Sequence, residues 1–233
     1  SLNDGIYRLQ SKDIATLYEI WCFIEVSHIV KDLLGAEADH RNRMEMNGIF
    51  TWELGKGDHS RILFRKDGVE LAELVYNTKH TDKENGNIGI SNVESRTVPQ
   101  KPDIVLQLTK DDLQKGMKMT YLFDAKYRIE KDPSSMYYPD SMPGPKVEDI
   151  NTMHRYRDSI VYENRESKFM FQKTMFGAYI LFPYDDEEQY KNHRFYKSID
   201  TVNIGGLPFL PGTTKLVTKL LDDLISDSRE SAF

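Results

Sequence analysis

Two short apolar runs, each with an acidic residue at its edge, constrain this chain more than any other feature. Lys101-Pro102-Asp103-Ile104-Val105-Leu106 sets a carboxylate just before one run, and Tyr121-Leu122-Phe123-Asp124-Ala125-Lys126-Tyr127 sets one near the end of another. Runs rich in β-branched and aromatic residues read as strands. Alternation along a strand sends Asp124 and Lys126 to the same side, and if the two runs pair, Asp103 can join them. A fold built this way carries charge at the margin of its core. Clustered, poorly solvated carboxylates repel one another and are costly unless protonated or bridged by a cation.

Two carboxylates and one ammonium at one spot suit a hard divalent cation and a water held against a phosphodiester. Magnesium is the economical choice, because it prefers oxygen ligands and retains waters that can react. Pro-Asp and Asp-x-Lys are also common strings, and a strand cap followed by a surface ion pair is the competing explanation. An ammonium at a strand end is expected to add little to packing.

The rest of the chain supplies strands and helices around these runs. Residues 13–34 are apolar at helical spacing, with Ser11 or Asp13 as N-cap and Gly35 placed to end the helix. Residues 48–54, 61–65 and 69–76 read as a β-meander with an Asp-Gly hairpin turn at Asp67-Gly68. Residues 78–100 form a polar loop in which 87–93 could make a short edge strand. Residues 130–145, with four prolines, are expected to be a mobile loop beside the charged cluster. Helix is expected over 147–163 and over 213–225, and Gly205-Gly206 reads as a turn. The whole predicts an α/β fold, a mixed central β-sheet flanked by helices.

Five blocks, in order across nearly the whole chain, resemble the PD-(D/E)xK nuclease superfamily, and specifically the nuclease domain of McrC- and LlaJI-like restriction endonuclease subunits. They are Tyr18-Glu19-Ile20-Trp21, Lys101-Pro102-Asp103, Asp124-Ala125-Lys126-Tyr127-Arg128, the stretch from Asp149-Ile150-Asn151 through His154-Arg155-Tyr156-Arg157-Asp158, and Gly206-Leu207-Pro208-Phe209-Leu210-Pro211-Gly212. The resemblance implies a restriction-endonuclease-like fold and a metal-dependent DNA endonuclease of a restriction system. It implies a metal held by Asp103, Asp124 and the carbonyl of Ala125, with Lys126 positioning the attacking water or stabilising charge on the phosphate, and Glu19 completing the shell. Mg2+ is the expected ion, with Mn2+ as substitute. Glu25, also among apolar helix neighbours, is a rival to Glu19. A catalytically silent DNA-binding or assembly domain of the same fold is the alternative function.

His154, Tyr156 and Arg157 interleave basic and aromatic side chains suited to phosphate and sugar contacts, although each could serve packing or capping instead. Arg128 is either a phosphate clamp or the salt-bridge partner of a carboxylate. Related McrC-like proteins work with a separate AAA+ GTPase motor subunit of McrB type, which makes such a motor an expected partner beside DNA. A homodimer is expected on symmetry grounds, since one such site cuts one strand.

Composition narrows the setting. A length of 233 residues and the absence of any dense Pro or Gly linker suggest one domain over 1–233. The opening Ser1-Leu2-Asn3 suggests a domain excised from a longer protein. Cys22 is the sole cysteine, which excludes an intramolecular disulfide and a thiolate zinc site and suits a reducing cytoplasm. No apolar stretch is long enough to span a bilayer. The net charge of -6 is unusual for a chain that binds DNA strongly by itself, because phosphate neutralisation supplies most non-specific affinity. Affinity is therefore expected to come partly from a partner. No Gly-rich phosphate loop precedes a Lys-Ser or Lys-Thr pair, so nucleotide hydrolysis is not expected of this chain.

Overall fold

The computed structural model describes residues 11–40, 44–46, 52–54, 61–76, 93–95, 101–109, 118–130, 142–163, 171–172 and 175–226. At its centre is a seven-stranded mixed sheet in the order β1-β4-β5-β7-β8-β11-β12. These strands are β1 (Glu37–His40), β4 (Arg61–Lys66), β5 (Val69–Tyr76), β7 (Ile104–Thr109), β8 (Lys118–Ala125), β11 (Met175–Phe182) and β12 (Ile204–Pro208). Neighbours from β1 to β8 run antiparallel, and β8, β11 and β12 run parallel. Consecutive residues of β7, β8 and β12 are buried without alternation, as in a sheet covered on both faces.

The helices are α1 (Ser11–Leu34), α2 (Val147–Ser159), α3 (Glu187–Tyr190), α4 (Arg194–Val202) and α5 (Lys215–Ser226). α1 packs on α5 and on β8, β4 and β5, while α2 packs on β11 and β12, and α4 packs on β12. α1 ends at Gly35, whose φ of +54° lets the Gly35 and Ala36 amides turn back onto the carbonyls of Asp32 and Lys31. Capping by Ser11 or Asp13 lies outside the described side chains. The β4–β5 hairpin closes through Asp67 and Gly68, both at positive φ, the geometry that matches the twist of paired strands.

Several sequence expectations are corrected. The helix over 147–163 stops at Ser159, and Ile160–Glu163 becomes β9, pairing with β6 (Val93–Ser95) and β10 (Phe171–Gln172) in a separate three-stranded sheet. Ile160, Val161 and Tyr162 are β-formers, so strand pairing prevails over the helical period. Of the first run of the meander only its last three residues are described, and they do not enter the main sheet: β3 (Trp52–Leu54) pairs with β2 (Met44–Met46), and the place beside β4 belongs to Glu37–His40. That strand is short and polar and has no apolar period, though Arg65 meets Asp39 across it at 3.1 Å. Gly205-Gly206 is strand, not turn. A Cβ on Gly205 would sit 2.1 Å from the Phe195 carbonyl oxygen, and one on Gly206 would sit 2.6 Å from Pro145 Cγ. Both lack side chains because α4 and Pro145 approach the strand closely. The edge strand expected within 87–93 is described only from Val93 onward, and the remainder of 78–100 lies outside the described residues. So does 131–141 of the expected loop, whose base is pinned by paired Glu130 and Gly144.

Candidate active site

The sheet register explains why two distant aspartates meet. Ile104 pairs with Phe123 in the antiparallel β7–β8 ladder, so Asp103, just before β7, and Asp124, near the end of β8, emerge at the same end of the sheet. Asp103 Oδ2 accepts a hydrogen bond from the Ala125 amide at 2.9 Å. Each carboxyl lies within reach of the other's charge. Both are buried. The Lys126 amide donates to the Leu181 carbonyl at 2.8 Å, so the lysine backbone is fastened to β11 past the end of β8. Its ammonium contacts Asp124 Oδ2 directly and lies 3.9 Å from Asp103 Oδ2. Lys126 is therefore not a loose strand-end charge. It is the cation that compensates two buried acids.

α1 contributes Glu19 from above this end of the sheet. Tyr18 anchors the helix by donating its hydroxyl to the Phe209 carbonyl at 2.8 Å, and Tyr76 reaches Glu19 Oε2 at 3.5 Å. Glu19 sits in the fields of Lys126, Asp124 and Lys101. Glu25 is six positions further along the helix, about 240° around its axis, and lies 4.0 Å from the His28 imidazole. The structure thus brings Glu19, and not Glu25, to Asp103 and Asp124.

α2 brings a fourth carboxylate, to which the sequence alone assigns no role. Asp149 is buried, acts on the charges of Asp124 and Lys126, and is gripped at both oxygens by the Arg128 guanidinium, with Nε to Oδ2 at 3.2 Å and a shorter Nη2 to Oδ1 contact. In sequence, an aspartate in the first turn of a helix is indistinguishable from an ordinary dipole partner. Of the two roles open to Arg128, this conformation gives it the salt bridge. Tyr156 lies near the aspartates and donates to the Lys101 carbonyl at 3.3 Å. Arg157 is turned away, donating to the Val202 carbonyl at 2.7 Å at the end of α4. His154 is half-buried and has no hydrogen bond or ion pair among the described residues.

The electrostatics follow from burial. Loss of water pushes the Asp103 carboxyl well above the ordinary range; Asp124 and Glu19 add to the rise, while Lys126 and the Ala125 amide oppose it. Asp124 is raised by burial and held back by Lys126. Burial pulls Lys126 down, yet Asp124 and Asp103 outweigh it, so the ammonium holds its proton above the usual lysine range. Glu19 is raised, first by burial.

Among the described residues no three carboxylate, imidazole or thiol side chains already stand as a metal-binding set. The donors nevertheless fit a hard cation. Asp124 Oδ2 is fully shielded from water and bonded to nothing among the described residues beyond the Lys126 contact. Two buried carboxylates with raised proton affinity, and a third beside them, form an oxygen-rich site that a divalent ion would satisfy better than one ammonium. Among the described residues, no helix is long and apolar enough to cross a membrane. No curated protein and no solved structure matches the chain. A family model described as the PD-(D/E)XK nuclease superfamily matches residues 16–187, a span that contains Glu19, Asp103, Asp124, Lys126 and Asp149.

Proposed function

Because the chain belongs to the PD-(D/E)XK nuclease superfamily, we propose that it is a metal-dependent DNA endonuclease of a restriction system, cutting a backbone phosphodiester by in-line attack of water. The observation that carries this reading is the meeting of Asp103, Asp124 and Lys126 at one end of the sheet, with Glu19 beside them. Nucleases of this superfamily generally use divalent metals. Asp103, Asp124, the Ala125 carbonyl and Glu19 are the groups that would hold Mg2+ or Mn2+ here, and the ion would activate water and neutralise the phosphate as a Lewis acid.

The chain's own residues then have separable tasks. Asp103 bonds the Ala125 amide and so fixes the strand end that carries Lys126. Lys126, kept protonated by its two acids, is available to orient the attacking water and to stabilise the extra negative charge that develops on the phosphate oxygens. Tyr156, bonded to the backbone of Lys101, braces α2 against the entry to β7. We propose further that an AAA+ GTPase motor partner of McrB type supplies part of the DNA affinity, for which the acidic net charge of the chain leaves a need, and that cutting both strands uses two copies of the chain, since one such site cuts one strand.

A supercoiled-plasmid nicking assay tests the reading. Wild type should nick with magnesium or manganese and stop in excess chelator, and Lys126→Met should lose about a hundredfold or more in rate, as for other charge-stabilising donors. Undiminished nicking in chelator, or by Lys126→Met free of contaminating nuclease, would overturn it.

A further inference from the structure

Beyond β8 the chain reverses sharply: the Arg128 amide donates to the Lys126 carbonyl at 2.7 Å. An i to i+2 bond of this kind is a γ-turn, and Tyr127 is its apex. The residues on either side are engaged by acids, Lys126 by Asp124 and Asp103 and Arg128 by Asp149. Tyr127 is left facing outward, 49% exposed.

One side of its ring rests on Tyr18, with centroids 5.3 Å apart and planes tilted by 56°. Tyr18 is itself held by its bond to the Phe209 carbonyl and stacks at 6.0 Å on Trp21, which meets Phe209 at 4.8 Å. Tyr127 is thus the outer end of a row of four rings whose inner end, Phe209, is in the core. The inner rings make it a braced surface, and its own outer part is available to a ligand.

Its place beside the chemistry identifies that ligand. Adjacent α-carbons are about 3.8 Å apart, so the ring projects next to the Lys126 backbone, and its support Tyr18 precedes Glu19 in sequence. A base is joined to its phosphate through one sugar, so the base flanking a phosphate held at Lys126 falls within reach of this ring. In a duplex that base is covered on both faces by its neighbours, whereas an unpaired base can stack on an aromatic side chain. Resting on the nuclease reading above, we propose that Tyr127 is a stacking platform for an unpaired nucleobase next to the scissile phosphate, and that this site takes single-stranded or locally unpaired DNA.

The test uses the full 233-residue chain in chelator and an oligothymidylate carrying one 2-aminopurine, whose fluorescence falls when it stacks. Wild type should quench and bind this strand, and Tyr127→Phe should do the same. Tyr127→Ala should lose the quenching and bind the strand about tenfold more weakly, with little change for a duplex of the same length. Tyr127→Leu, which keeps apolar cover over Tyr18, should behave as Tyr127→Ala and separates stacking from loss of fold. Wild-type quenching and affinity in the Ala and Leu variants, or an equal loss on duplex, would overturn the proposal and place Tyr127 with exposed Leu17 on a protein-facing surface. Metal-supported cleavage distinguishes the two readings. A wild-type chain that cuts while Tyr127→Ala keeps the same preference between strand and duplex removes only the stacking role. A wild-type chain that quenches and binds the strand yet cuts neither substrate removes the cleavage reading and leaves the stacking one.

Discussion

Replacing Lys126 by Met keeps most of the aliphatic stem and deletes the charge, so it isolates what the ammonium does for the two aspartates. At 3.9 Å from Asp103 Oδ2, its attraction is about 332/(20 × 3.9), or roughly 4 kcal/mol, at an effective dielectric constant near 20. Asp124 is closer and adds to this. Against it stand the 29% exposure of the lysine side chain and the entropy of holding a long side chain in place. Breaking a buried pair costs about 3–5 kcal/mol, and this partly wetted one should cost about 3 kcal/mol, a fall of roughly 6–12 °C in midpoint for a domain of this size.

The pH dependence carries the sharper test. Burial already places the Asp103 and Asp124 carboxyls above their ordinary range, and Lys126 opposes that rise, so its removal raises both further. A carboxyl raised in the folded state retains its stability below the unfolded value, near 3.9, and loses it as pH climbs through the folded value. The deficit of Lys126→Met should therefore be small near pH 4 and widen as the pH rises in chelator. Thermal melts of wild type and variant across that range measure it, and millimolar magnesium should close part of the gap. Equal midpoints at the alkaline end, or a deficit that does not change with pH, would refute the view that Lys126 neutralises two buried acids.

Asp103→Asn can still accept from the Ala125 amide and relieves repulsion with Asp124, so without metal it should melt no lower than wild type, yet it should lose most of any magnesium-induced rise. Asp103→Ala also forfeits that hydrogen bond and should lose about 1–2 kcal/mol in the same melts; the reverse ranking would show that Asp103 is not strained by its neighbours. Arg128→Ala leaves Asp149 buried without its cation and should cost about 1–2 kcal/mol in urea unfolding, and Arg128→Lys should restore only part, since an ammonium cannot grip both oxygens as the guanidinium does. An unchanged transition in Arg128→Ala would show that the pair contributes nothing to stability. Gly205→Ala would drive a methyl to within 2.1 Å of the Phe195 carbonyl and should cost about 3 kcal/mol or more; a soluble variant with wild-type midpoint would mean that α4 does not press on β12 as described.

What the sequence determined by itself was local. Apolar runs ending in Asp124-Ala125-Lys126 and starting after Asp103, a glycine that closes α1, and an Asp-Gly hairpin turn are legible because strand alternation, left-handed φ and turn chemistry each act within a few residues. The mixed sheet flanked by helices followed from the same signals. What only the tertiary structure decided were choices between distant partners. Whether Glu19 or Glu25 faces the aspartates depends on how α1 seats on the sheet, and whether Arg128 serves phosphate or carboxylate depends on Asp149 arriving from α2. Gly205-Gly206 is a strand because α4 and Pro145 pack close enough to exclude any side chain, and Ile160–Glu163 is a strand because β6 and β10 offer it hydrogen bonds. A residue's spacing records its own backbone preference, but its partner is set by the competition of all surfaces for burial, and that competition is resolved only when the chain has closed on itself.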